Sequence, residues 1–88
     1  MPVYVDDARI PWRGRLWSHM VADTAEELHD AASSLGLGRE RAQSRGRTLH
    51  YDLPEEWRLR VIESGTATAI SWRELVERRQ WMAPGRGG

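Results

Sequence analysis

Three times along this chain a helix-capping residue is followed three positions later by Glu: Thr24 with Glu27, Asp52 with Glu55, and Ser71 with Glu74. In such a pair the first side chain accepts from the backbone N–H three residues on, so each pair marks a helix start. The stretches between them are short and apolar and alternate in the manner of strands: Pro2 to Asp6, Arg15 to Ala22, Thr48 to Tyr51, and Thr66 to Ile70. The order β-β-α-β-α-β-α predicts an α/β fold, a small mixed and partly parallel sheet of about four strands with two or three helices. Residues 1–82 form one domain in this reading, and residues 83–88 (APGRGG) form a flexible tail.

The helical faces follow from spacing. Leu28, Ala31, Ala32 and Leu35 form the buried stripe of the first helix, which Gly36 stops. In the second, Asp52 is the cap, Pro54 sits in the first turn, Trp57, Val61 and Ile62 face inward, and Gly65 ends the helix. The third runs to about Trp81, with Trp72, Leu75, Val76 and Arg79 on its inner side. Ala8 to Gly14 reads as a loop broken by Pro11 and Gly14. Gly38 to Arg47 reads as a mobile, Arg-rich loop with room for a helical turn.

Composition narrows the chemistry. The chain has no Cys, which excludes disulfides, thiolate metal sites and a Cys nucleophile. No apolar run approaches the ~20 residues that span a bilayer, and no signal peptide is visible, so a cytoplasmic protein without a membrane partner is expected. All 13 basic residues are Arg, whose planar fork grips carboxylate or phosphate, although a GC-rich genome gives the same bias. Net charge is zero, which speaks against broad coating of a nucleic acid.

Several pieces together resemble a known family. V-Y-V-D-D (3–7), S-H-M-V-A-D-T (18–24), E-E-L-H (26–29), H-Y-D-L-P-E-E (50–56), E-S-G-T-A (63–67) and R-E-L (73–75) are similar to the short actinobacterial and phage proteins of the DUF4031 family. The resemblance extends from Val3 to about Arg79 and implies one small domain, with no established activity. The segment from Arg9 to Gly14 departs from the pattern, with Arg13 where the family leads one to expect a His.

The candidate functional residues are few. Asp6 and Asp7 end the first strand, where carboxylates either hold a ligand or close an Asx turn. Residues two apart on a strand share a face, so His50 and Asp52 converge, and with Asp6 they form a candidate divalent-metal set. Asp52 is equally explained as a helix cap, His19 as a half-buried hydrogen-bonded ring, and His29 as a packing residue near the apolar stripe of the first helix. Arg13 and Arg15 interleave with Trp12 and Trp17, a pattern that binds a phosphate and stacks on a base, or else a solvated loop over a buried Trp17. Ser18 and His19 point to opposite faces of one strand, which rules against a simple hydrolytic pair.

Three functions fit these residues. The favoured one is a binding module for an anionic small molecule, a nucleotide or phosphorylated metabolite, through Trp12, Arg13, Arg15, His19 and His50. The second is a metal-dependent hydrolase or nuclease using Asp6, His19, His50 and Asp52, with a divalent ion as the less favoured cofactor. The third is a protein-interaction module acting through the Arg-rich loop and third helix. The first two require His19 and His50 to meet on one face.

Overall fold

The computed structural model describes residues 3–45 and 48–78. The long strand β3 (Arg15–Ala22) is the axis of a six-stranded sheet. Strand β5 (Thr48–Pro54) runs antiparallel along one of its edges. Along the other edge lie β1 (Val3–Val5), beside the C-terminal half of β3, and β2 (Ile10–Trp12), beside its N-terminal half. Short strands complete the sheet: β4 (Gln43–Arg45) antiparallel to β5, and β6 (Thr68–Ala69) parallel to β1. Helices α1 (Ala25–Ser34), α2 (Glu55–Glu63) and α3 (Trp72–Arg78) follow β3, β5 and β6.

Strand parity sorts the side chains. Met20 and Ala22 of β3, Val3 and Val5 of β1, and Tyr51 and Leu53 of β5 form one apolar face, closed by Leu28, Ala31 and Ala32 of α1 and Val61 of α2. The opposite face carries a smaller cluster of Val21, Ile70 and Leu75, with Tyr4 against it. Over its described residues α3 supplies one buried side chain to this second face, Leu75.

The mixed, partly parallel sheet with three helices agrees with the sequence; the strand count does not. Ala8 to Gly14 is not a plain loop, because Ile10–Trp12 pairs with β3 through a tight hairpin. Arg13 (φ 51°) and Gly14 (φ 74°) both occupy the left-handed region, as a two-residue hairpin turn of this hand requires. Pro11 lies in β2 where only one neighbour is paired, a setting that tolerates its missing N–H. Within Gly38–Arg47, residues Arg39–Arg41 form a 3-10 turn and Gln43–Arg45 forms β4, held by the backbone ladder rather than by an apolar face.

Two of the three predicted caps form. Thr24 accepts from the Glu27 N–H at 3.2 Å and Ser71 accepts from that of Glu74 at 3.1 Å. The C-terminus of α1 closes with Gly36 at φ 81°, the Gly36 N–H on the Ser33 carbonyl and the Leu37 N–H on that of Ala32, which also buries Leu37. Asp52, however, is not a helix cap. Strand β5 continues through it to Pro54, which precedes α2 without a side-chain capping bond. On α2 the buried side chains are Arg58 and Val61, with Trp57 and Ile62 half-buried against the core. Trp72 and Val76 of α3 are exposed rather than inward. Pro2, Arg79, Trp81 and the tail 83–88 lie outside the described residues.

His29 sits on the α1 side of the sheet, its Nδ1 2.6 Å from the Tyr51 hydroxyl. Burial and then the Arg39 charge lower the pKa of His29 below its ordinary 6.5, against a smaller opposing pull from Asp30. Burial likewise raises the pKa of Tyr51, so its hydroxyl stays protonated and donates to the neutral ring. A proton on Nδ1 would remove that acceptor. Because the folded pKa of His29 is lowered, the unfolded chain binds its proton first as pH falls, and stability is lost below pH 6.5. Urea midpoints measured at about pH 7.5 and about pH 5.5 should fall further in the wild type than in His29→Gln. Equal losses would show that the His29–Tyr51 pair does not carry this dependence.

Candidate functional site

The parity that buries Met20 places His19 on the opposite, α3-side face. The β3–β5 register sets His19 directly across from Asp52. Since Tyr51 and Leu53 belong to the helical core, His50 and Asp52 must share the face of His19. The two imidazoles are neighbours, with ring centroids 5.5 Å apart and planes at 74°.

Asp6 completes the group from the end of β1. Its backbone N–H donates to the His19 carbonyl at 3.0 Å, and its Oδ1 accepts from the His19 N–H at 2.8 Å, so the carboxylate continues the ladder where the strand stops. Oδ1 also accepts from the Ala8 N–H at 3.2 Å, the Asx turn expected of this segment. Oδ2 lies 2.8 Å from His19 Nδ1. The Asp6 side chain is fully buried. Burial alone would raise its pKa, but the bonds from the His19 ring, the His19 N–H and the Ala8 N–H outweigh that and hold it below the ordinary 3.8. An ionised carboxylate only accepts, so His19 Nδ1 carries the hydrogen and Nε2 is the ring's basic end.

A second layer fixes Asp6. The guanidinium of Arg58, buried on α2, donates from Nε to the Asp6 carbonyl at 2.7 Å. Glu55 stands 3.9 Å from Arg58 and 3.1 Å from Arg9, linking the start of α2 to the segment after Asp6. Asp52 lies between the two imidazoles, its Oδ1 3.5 Å from His50 Nε2 and 3.9 Å from His19 Nε2. His50 Nδ1 is 3.2 Å from the Thr48 carbonyl, an acceptor, so that nitrogen also carries a hydrogen.

The polar group opens into a cleft of about 600 Å³. Ile10, Trp12 and Trp17 form its aromatic side, while Glu40, Arg41 and Gln43 form the side facing the 3-10 turn and β4. A smaller pocket of about 160 Å³ lies between the histidines and α3, bounded by Thr48, Trp72, Leu75 and Val76. Thr48 Oγ1 is buried beside it and has no hydrogen-bond partner among the described residues.

Of the residues singled out in the sequence, Trp12, His19, His50 and Asp52 meet at this cleft, with Asp6 behind His19. Arg13 and Arg15 are engaged elsewhere. Arg13 stacks over the Trp12 ring at 4.5 Å, and Arg15 pairs with Glu56 at 3.1 Å. Trp12 and Trp17 meet edge to face, and Trp17 Nε1 donates to the Trp12 carbonyl at 2.9 Å. Among the described residues no three of His, Asp and Glu are placed to hold one metal ion. The Asp6–His50–Asp52 set does not close because the Asp6 carboxylate is turned onto His19 and Ala8.

Arg58, Arg41, Gln43 and Thr48 escaped the sequence reading. Arg58 had one signal, its place three residues before Val61 on the inward stripe of α2. The other three lie in polar or strand-end positions with no periodic signal.

Residues 3–82 match the model of the family described as protein of unknown function (DUF4031), and the chain belongs to that family. No curated protein and no solved structure matches it. Among the described residues no helix is long and apolar enough to cross a membrane.

The buried network has a direct readout. Arg58→Met leaves the Asp6 carbonyl without its charged donor and should cost about 1.5–3 kcal/mol in urea unfolding. In nitrogen-edited NMR at mildly alkaline pH, His19 should read as the Nδ1–H tautomer and shift toward the Nε2–H form in Asp6→Ala. An unchanged His19 spectrum would show that Asp6 does not set the tautomer.

Proposed function

We propose that the cleft binds a small nucleotide-like ligand, an aromatic ring joined to an anionic group. The observation that carries this reading is the meeting of His19 and His50 at 5.5 Å on one face, opening with Trp12 into a single cleft. A base lies against Trp12 and Trp17, where stacking is worth about 1–3 kcal/mol. Its polar edge meets the Asp52 carboxylate, the Gln43 amide and the histidine nitrogens, which together offer donors and acceptors. Arg41 at the rim faces the phosphate, and one charge-assisted bond there adds about 1.5–3 kcal/mol. These terms together, about 2.5–6 kcal/mol, support weak affinity, from tens of micromolar at the tightest to about ten millimolar. Arg13 and Arg15 stand outside this contact set, held by Trp12 and Glu56.

Tryptophan fluorescence and calorimetry with the four ribonucleoside monophosphates, matched against nucleosides and inorganic phosphate, test the reading. At least one monophosphate should quench fluorescence and release heat, and bind more tightly than phosphate alone. His19→Ala and His50→Ala should each weaken it by about tenfold or more, while His29→Gln leaves it unchanged. No response to any monophosphate, or full binding in both cleft variants, would overturn the proposal.

A further inference from the structure

We infer that the ring this cleft selects is guanine, recognised through its N1–H and N2 amino group by the Asp52 carboxylate; this rests on the nucleotide-binding reading above. Two carboxylates adjoin the histidine pair, in opposite circumstances. Asp6 is fully buried, and its oxygens accept from His19 and Ala8. The Asp52 side chain is 32% exposed, and among the described residues neither of its oxygens accepts a hydrogen bond. The His50 and His19 Nε2 atoms stand 3.5 and 3.9 Å from its Oδ1, longer than the roughly 2.7–3.2 Å of an N–H···O bond. A carboxylate of this kind has acceptor positions on both oxygens and donates nothing. Its donors come from whatever enters the cleft.

The register places a second polar group opposite. Asp52 is paired with His19 of β3, and Gln43 of β4 is paired with His50, two residues before Asp52. Paired residues and residues two apart share a face, so Gln43 and Asp52 project from the same surface as diagonal neighbours. Such neighbours stand about 7–8 Å apart, a gap that one planar ring can span. Both line the cleft of about 600 Å³, and Trp12 and Trp17 supply the flat wall beside them.

Base chemistry then singles out guanine. Its N1–H and N2 amino group are adjacent donors, which meet the two oxygens of one carboxylate side by side. Adenine and cytosine each present one amino group beside a ring nitrogen that is an acceptor. Uracil presents one N–H between two carbonyls. In all three the second carboxylate oxygen meets a lone pair. The guanine carbonyl next to N1 accepts from the Gln43 amide. The lining agrees in charge, since Asp52 and Glu40 stand there with Arg41. Selection therefore lies in the donor edge of the ring and not in the phosphate.

The test is a nitrogen-edited NMR titration of the full chain with the monophosphates of guanosine, inosine, adenosine, cytidine and uridine. All five carry the same phosphate, so differences in Kd report the ring alone. The guanosine form should bind at least about tenfold more tightly than the adenosine, cytidine and uridine forms. The inosine form keeps N1–H but lacks the N2 amino group, and should fall between. Asp52→Asn, checked for fold by circular dichroism, should lose the guanosine preference and gain one for xanthosine monophosphate. The amide oxygen accepts from xanthine N1–H, and the amide nitrogen donates to the xanthine carbonyl that replaces the N2 amino group. His29→Gln should keep the wild-type order. The series on the unaltered chain decides the question whether or not the Asp52 variant folds. Equal binding of all five, or a preference for another ring, would overturn the guanine inference and leave the binding proposal standing. Binding of none would overturn both. A guanosine preference that survives Asp52→Asn would overturn the assignment to Asp52.

Discussion

Taking a carboxylate out of water costs several kcal/mol unless donors surround it, and the middle of this sheet is arranged to surround Asp6. The His19 N–H, the His19 ring and the Ala8 N–H all point at its two oxygens, and Arg58 holds the carbonyl of the same residue. Satisfying one buried charge thus fixes where β1 ends and which way the His19 ring turns. It also sets how α2 lies against the sheet. Removing any one donor leaves part of the charge unpaired, so this polar knot constrains the fold alongside the apolar core. The cluster that stabilises the sheet and the cluster that faces the cleft share Asp6 and His19.

The two faces of the sheet are built differently. Two helices pack on one face over Met20, Tyr51 and Leu53, while the described part of α3 packs on the other around Val21 and Ile70. Beyond α3 the same face carries His19, His50 and Asp52, polar enough to stand next to water. The β2–β3 hairpin raises Trp12 beside them as a wall.

Much of this was written in the alternation of the strands. Parity along Arg15–Ala22 separates His19 from Met20, and parity along Thr48–Pro54 separates His50 and Asp52 from Tyr51, but whether the two histidines share a face stays open until the strands are paired. That they touch depends on the pairing of His19 with Asp52, which is a long-range choice no local spacing encodes. Asp52 misled because Asp ahead of Leu-Pro-Glu-Glu has the chemistry of a cap. Its cross-strand place instead kept it in β5, and α2 begins two residues beyond Leu53. The β2 strand was hidden by Pro11, and by Arg13, a residue type that seldom adopts the left-handed turn it occupies. Arg58 was passed over because a charged helical residue usually faces solvent, and its strongest buried partner, the Asp6 carbonyl, is distant in sequence.

Asp6 and Asp7 are neighbours with separate duties. While Asp6 holds His19, Asp7 Oδ1 accepts from the Trp72 N–H at 2.8 Å, where α3 begins, and the Ile70 N–H bonds to the Val5 carbonyl at 2.9 Å. The dipeptide is therefore a hinge pin between the last described helix and the histidine pair, two features far apart in the chain. A substitution that shifts the start of α3 pulls on the same short stretch of backbone that aims the imidazole. Damage to that helix is transmitted to His19 without touching any residue of the cleft.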